Sequence, residues 1–331
     1  MSYKKLINDP FDAVDEGLEG FVAAHADLVA LAEPRVVVRR IPGIGKVGLV
    51  VGGGSGHEPA FAGYVGAGIA DAAACGNIFA SPPPNVVLAA IHAASHGQGV
   101  LVGYGNYAGD VMNFGLAAQL AGAEGIEVRE IQVTDDVASA PKPEASKRRG
   151  IAGDIIVFKC AGAAAEQGLS LAEVERIAIK ANAATRSMGV ALSACEVPGS
   201  GRPTFELPDG EMEIGMGVHG EPGIKRGPLR PADEVARTLV DAIVADIDDG
   251  GRGDVALMVN GLGATAYLDQ YILYRGARRA LEASGLRVAR SYVGEFITSL
   301  EMAGASVTVT LLDDELLSLL DAPASTPRFK A

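Results

Sequence analysis

Apolar residues run along this chain in short continuous blocks separated by stretches of helical period. Within residues 12–32 they recur at Val14, Leu18, Phe21, Val22 and Leu28, with acids and His25 opposite, which predicts an amphipathic helix. Residues 36–38 and 47–51 are brief apolar runs of the kind that form buried strands. A helix is predicted at 84–95, a buried strand at 99–104, a helix at 111–123 and an alternating strand at 126–133. Residues 151–165 are apolar on every side and fit a buried helix or a strand. Residues 170–187 open with the capping box Ser170-Leu-Ala-Glu173 and predict a helix, with a strand at 188–195. Strands alternating with helices of this length imply a mainly parallel sheet covered on both faces.

Past Pro198 the pattern changes to a turn-rich excursion, PGSGRPTFELPDGE. A short strand at 213–218, a helix at 231–245 and an acidic, glycine-rich turn at 246–253 follow. Strands at 255–259, 286–293 and 306–312, a helix at 264–283 and a closing helix at 313–320 complete the chain. The expected fold is therefore α/β in two domains. Residues 1–185 form the N-terminal domain with a mainly parallel sheet, and 186–331 a smaller α/β domain.

Composition narrows the function classes. A hydrophobic share of 48% supplies a large core, and 43 glycines suit tight turns at strand ends. A net charge of −13 argues against sequence-independent nucleic-acid binding, where cations must neutralise phosphates. Cys75, Cys160 and Cys195 are too few and too scattered for a disulfide framework or a zinc site. The start, MSYKKLINDP, has no signal-peptide core, and no uninterrupted apolar run is long enough for a membrane span. A cytoplasmic protein is the expectation.

The chemistry-bearing residues sit at strand ends. GGGSGHEP at 52–59 has neither the lysine of a phosphate-binding P-loop nor the third glycine of a dinucleotide fingerprint. It reads as a strand-to-helix turn with exposed backbone N–H groups, either purely structural or carrying His57 to a ligand. GMGVHGEPG at 215–223 echoes it, GHEP against HGEP, and sets His219 in a matching turn. Imidazole can act there as base, acid or nucleophile. Asp110, in YGNYAGDVMNF, is either a helix N-cap or a base for a hydroxyl proton. His92 and His96 lie i, i+4 on a helix without further ligands and read as a solvated face, so no metal site is expected. Asp135 and Asp136 could hold magnesium, but in a polar loop they read as turn residues. Lys147, Arg148 and Arg149 read as a solvated loop, or as a docking patch. NGLGAT at 260–265 is a packing turn or a further ligand loop.

In order along the chain, GGGSGHEP, GNIFASP, NYAGD, SKRRG, GVHGEPG and NGLGAT closely resemble the substrate-binding K subunit of the dihydroxyacetone kinase family, over nearly the whole length. The resemblance implies a homodimer that holds a small ketose and carries no cofactor of its own. It implies that His219 bonds to the substrate carbonyl as a hemiaminal. His57 and Asp110 would contact the hydroxyls and assist proton transfer, and Gly54, Ser55 and Gly56 would give backbone contacts. ATP, or ADP recharged by a phosphotransferase-system phosphocarrier, would sit with magnesium on a separate L-type subunit. A hemiaminal would also exclude glycerol chemically, because a polyol offers no carbonyl.

One position departs from the family pattern. The lysine that precedes NY in members acting on dihydroxyacetone is Gly105 here. Its loss opens space beside the substrate, so a four-carbon ketose, D- or L-erythrulose, is the alternative to dihydroxyacetone. A non-catalytic ketose-binding regulator is a rival of another class, against which the presence of both His57 and Asp110 speaks.

Overall fold

The computed structural model describes residues 4–247 and 253–331. In chain order the elements are α1 (Ala13–Ala24), β1 (Val29–Glu33), β2 (Val36–Arg39), β3 (Gly48–Ser55), β4 (Ala72–Ile78), α2 (Pro84–Ala94), β5 (Val100–Gly105), α3 (Ala108–Ala123), β6 (Val128–Val133), α4 (Asp154–Glu166) and α5 (Leu171–Ala184). Then come β7 (Thr185–Ala191), β8 (Glu211–Ile214), β9 (Lys225–Pro228), α6 (Ala232–Asp246), β10 (Gly253–Gly261), α7 (Tyr267–Ala283), β11 (Leu286–Gly294), β12 (Gly304–Leu312) and α8 (Asp314–Asp321).

These elements fall into two compact units, each built on a six-stranded sheet. The first unit comprises Lys5–Val133, Asp154–Asn182 and Glu315–Ala331, and the second is chiefly Thr134–Gly153 and Ala183–Asp314. The single cut expected at 185 corresponds to only one of the crossings. The chain also crosses after 133, 153 and 314.

In the first unit the strand order is β1-β2-β4-β3-β5-β6. β4, β3, β5 and β6 run parallel, and the β1–β2 hairpin joins β4 antiparallel. From β3 the chain steps to β4 on one side, while β5 and then β6 lie on the other. The carboxyl ends of β3 and β5 therefore flank the switch point of a doubly wound sheet, where such sheets bind ligands. On one face Val50, Val100, Val102 and Tyr104 pack against Ile91 of α2 and Phe114 of α3. On the other, Phe158 of α4 lies over Gly103, 2.9 Å from where a Cβ would stand. Each large side chain so buried contributes roughly 1.5–3 kcal/mol. Residues 151–165, equally compatible with helix or strand in sequence, resolve as α4, buried from Asp154 to Ala165.

Two elements differ from expectation in this unit. The helix expected over 12–32 stops at Ala24, and Val29–Glu33 instead pairs with β2, Val29 opposite Arg39. Pairing with a distant strand outweighs local period there. β3 runs on through the glycine triplet to Ser55, and no α-helix follows it. A single 3-10 turn, Ala62–Tyr64, leads into β4, so the expected strand-to-helix turn is a strand-to-strand crossover. Pro59 and the glycines at 63, 66 and 68 suit this path and disfavour a helix.

In the second unit the order is β11-β10-β12-β7-β8-β9, parallel only between β10 and β11. Leu239 and Ile243 of α6 and Ala277 and Leu281 of α7 bury one face together with Leu257, Val259 and Val307. Hydroxyl pairs occupy other strand positions, Thr185 with Thr310 at 3.0 Å and Ser187 with Thr308 at 2.7 Å. Of the acidic turn expected at 246–253, Asp246 closes α6 and Gly253 opens β10; residues 248–252 lie outside the described residues.

Candidate active-site elements

β3 carries the glycine-rich stretch to the switch point, and each glycine of the triplet is there for close packing. A Cβ on Gly52 would meet the Ala74 carbonyl oxygen at 2.4 Å, one on Gly53 the Phe61 ring at 2.4 Å, and one on Gly54 the Ala80 nitrogen at 2.8 Å. Ser55 donates its hydroxyl to the Gly76 carbonyl at 2.8 Å. Gly56 follows with φ +94°, a turn conformation that glycine adopts without strain, and its N–H donates to both oxygens of Glu58 at 3.1 and 3.0 Å.

His57 then enters the interior, 3% exposed. Its ring stacks on Phe79, centroids 4.9 Å apart at 27°. Phe79 has φ +55°, and its N–H donates to the Ser55 carbonyl at 2.9 Å. A phenylalanine in the left-handed region is costly and is held only by its surroundings. The GNIFASP segment thus folds back over the end of β3 and fixes the plane of the imidazole.

β5 ends at buried Gly105, and α3 begins three residues later. Tyr107, with extended dihedrals, is the N-cap, so Asp110 is not. Asp110 lies in the first turn of α3, buried, where the helix dipole favours a carboxylate. The glycine stretch with His57 and the Gly105–Asp110 stretch leave adjacent parallel strands at the same sheet edge.

His219 stands in the second unit, in the turn between β8 and β9. Its backbone N–H donates to Glu221 Oε2 at 3.0 Å, and its Nδ1 lies 3.2 Å from Glu221 Oε1. The echo between GHEP and HGEP has a physical basis. In both turns a glutamate carboxylate accepts the N–H of the residue two before it. Glu221 also meets the imidazole of His219. Burial would raise the Glu221 carboxyl, but the hydrogen bond from His219 and the charges of His219 and Arg149 hold it down at about 2.

The basic cluster at 147–149 is not a solvated loop. Only Lys147 is exposed, paired with Glu144. Arg148, 1% exposed, makes two bonds to Asp246, at 2.9 and 2.6 Å, and Arg186 reaches the same carboxylate at 2.5 Å. Arg149 clamps Asp136 through Nε at 3.0 Å and Nη2 at 2.7 Å. Asp135 and Asp136 are likewise buried rather than turn residues in water. Asp135 accepts the N–H groups of Ile151 and Gly153 at 2.8 Å each. Burial pushes the Asp136 carboxyl up to about 6 against the pull of Arg149. His92 bonds Glu124 at 2.5 Å, and the three cysteines are buried thiols outside any disulfide. In NGLGAT, Asn260 is a packing residue: its side chain accepts the N–H groups of Phe296 and Ile297 and donates to the Ile297 carbonyl.

Phe79 and Glu221 are the residues sequence reasoning passed over, and in sequence Arg149 reads only as part of a solvated loop or a docking patch. The i, i+2 spacing of His219 and Glu221 could have flagged one of them. Neither a left-handed phenylalanine nor an ion pair across 13 positions leaves such a mark.

A doubly wound sheet with a buried histidine and carboxylate at its switch point defines a small-molecule-binding α/β protein. The chain belongs to the Dak1 domain family, whose model matches residues 19–328. It is 48% identical over 330 residues to the PTS-dependent dihydroxyacetone kinase 2 dihydroxyacetone-binding subunit DhaK of Listeria innocua, covering 99% of each chain. It is 47% identical to the L-erythrulose 1-kinase of Mycolicibacterium smegmatis over 98% of its own length, but spans only 58% of that enzyme. Among solved structures, the dihydroxyacetone kinase operon co-activator DhaQ superposes with a TM-score of 0.88 at 34% identity, over 95% of this chain and 97% of that one.

Proposed function

We propose that this chain is the ketose-binding subunit of a dihydroxyacetone-type kinase, working in the cytoplasm with a separate L-type subunit that brings the nucleotide and magnesium. The observation that carries the reading is the match, end to end, with a dihydroxyacetone-binding subunit. In this reading His219 Nε2 attacks the ketone carbon and the carbonyl π electrons move to oxygen. The alkoxide takes up a proton, while Nδ1 gives one up toward Glu221. Asp110, supported by His57, accepts the proton of the terminal hydroxyl as that oxygen attacks phosphorus. The backbone of Gly54, Ser55 and Gly56 orients the substrate. Phosphoryl transfer asks mainly for alignment and charge neutralisation, which the partner's metal and nucleotide site can supply.

Support for His57 and Asp110 comes from their burial at the ends of adjacent parallel strands, and for His219 from its hold on Glu221. Intact-mass measurement under native conditions tests the covalent step. An adduct with dihydroxyacetone, absent with glycerol and absent in His219→Ala, is the expected result. An adduct of unchanged yield in His219→Ala would overturn the assignment.

A second reading, a four-carbon ketose, is favoured by Gly105 together with the erythrulose kinase likeness. Turnover with a cognate L-type subunit separates the two. A far lower KM for dihydroxyacetone than for either erythrulose enantiomer would remove the second reading. The co-activator likeness makes that turnover assay the test of catalysis itself.

A further inference from the structure

The nucleophilic role given to His219 requires a bare Nε2, which means the ring proton must be held on Nδ1. The second unit contains a chain of contacts suited to that task. Glu221 takes the His219 N–H on one oxygen and faces Nδ1 with the other. Behind Glu221 stands Arg149, its Nη1 3.8 Å from Oε2. Arg149 is itself fixed from the far side, by two bonds to Asp136 and one from Nη2 to the Gly215 carbonyl at 3.3 Å. Asp136 is 1% exposed and Arg149 15% on its side chain, so neither end of this clamp moves freely in water.

Gly217 makes the contact possible. A Cβ there would lie 2.3 Å from Glu221 Oε2 and 2.7 Å from Arg149 Nη1, in the space the two charged ends share. Other charged groups near this turn include Asp135, beside Asp136, Lys225 at the start of β9, and Glu213, which accepts the Gly223 N–H at 2.7 Å and pairs with Arg226. Among the described residues the Glu221 carboxylate is held by His219 and Arg149, and by none of these groups.

We infer that Arg149, anchored on Asp136, is a positioning residue that aims Glu221 at Nδ1 of His219 and so keeps Nε2 available for the ketone. The inference rests on the proposed role of His219 and adds the device that prepares it. A fixed cation beyond Glu221 holds the carboxylate in one orientation, facing Nδ1.

Three measurements on the full chain test it. In the wild type with 15N-labelled histidine, NMR should show His219 with the proton on Nδ1 at pH 8; a proton on Nε2 would overturn the inference outright. Arg149→Gln should lower adduct formation with dihydroxyacetone about tenfold near pH 6.5, the scale on which partners of a functional histidine act. The same variant should show a mixture of Nδ1–H and Nε2–H tautomers of His219 in place of the single one. Arg149→Lys should bring the Nδ1–H tautomer back, and a purely structural role would leave the tautomer unchanged in all three proteins. Gly217→Ala keeps both charges, pushes only side-chain ends apart, and should reproduce the loss in yield even where Arg149→Gln does not fold. Wild-type yield in Gly217→Ala would count against the idea. If the wild type itself forms no His219 adduct, the covalent reading fails, whereas an adduct that ignores Arg149 and Gly217 overturns the positioning role alone.

Discussion

The Asp246 carboxylate holds two guanidinium groups, one of them nearly without access to water. Removing one partner of such a pair leaves uncompensated buried charge, so Asp246→Ala should cost about 3 kcal/mol in a urea melt at pH 7. The hydrogen bonds from Arg148 come first in holding the Asp246 carboxyl at about 2, below its ordinary 3.8, with Arg186 adding to them against burial. A depressed carboxyl binds protons more weakly in the folded than in the unfolded chain. Its stabilisation is therefore full above about pH 4 and is lost as pH falls through about 2. Asp136, raised to about 6, acts in the opposite sense, and its burden on folding eases as pH falls from 6 toward 4. Melts across pH 2–7 should show the first loss shrink in Asp246→Asn. An unchanged acid limb in that variant would place it elsewhere. None of this was legible in the sequence, where Lys147, Arg148 and Arg149 look like any solvated basic loop. Burial of a charge depends on a partner 98 positions away, and composition carries no trace of it.

At the scale of elements, apolar pattern located most strands and helices because their cores are local in period. It failed where the signal is carried by small residues. β4, with the sequence AAACGNI, offers few β-branched side chains, yet it is a parallel neighbour of β3 buried across five successive positions. Alanine and glycine are chosen there for closeness rather than propensity, as Gly52 against Ala74 shows. The same fact changes the meaning of the glycine stretch. His57 was legible as a candidate from its place after an apolar run, but the triplet before it is the closely packed end of a strand rather than a loop. Gly52→Ala drives a Cβ into backbone that cannot step aside, and Gly53→Ala into a ring that can shift only partly. Both should cost about 1–3 kcal/mol by overpacking, with the larger effect at Gly52. Denaturation midpoints check the order. If both variants keep wild-type stability and lose only ketose binding, Gly52 and Gly53 serve the ligand rather than the packing.

The molecule as a whole is not cut where its texture changes. The boundary expected at 185 implies two successive domains, but the first unit is completed by the last seventeen residues, Glu315–Ala331. Topology of this kind is set by long-range packing, to which a windowed reading is blind. The returning tail is well held. Leu316, Leu319 and Leu320 of α8 are buried, and the Leu319 carbonyl accepts Lys159 Nζ at 2.7 Å. Lys159 has no side-chain exposure and an amine pushed down by burial, so this carbonyl matters beyond an ordinary bond. Further on, Ser325 donates its N–H to the Ala67 carbonyl, and Arg328 donates its own to that of Gly63. These bonds hold the crossover that follows His57. A chain ended after residue 314 would expose the apolar surface under α8, strand a buried ammonium and release residues 63–67 from their backbone partners. The first unit should then lose its cooperative unfolding transition and become open to protease between β3 and β4. A point change, Leu319→Ala, should destabilise by about 2–5 kcal/mol without that collapse, since the backbone carbonyl remains. A truncated chain that melts cooperatively at the wild-type midpoint would mean that the fold closes without its tail.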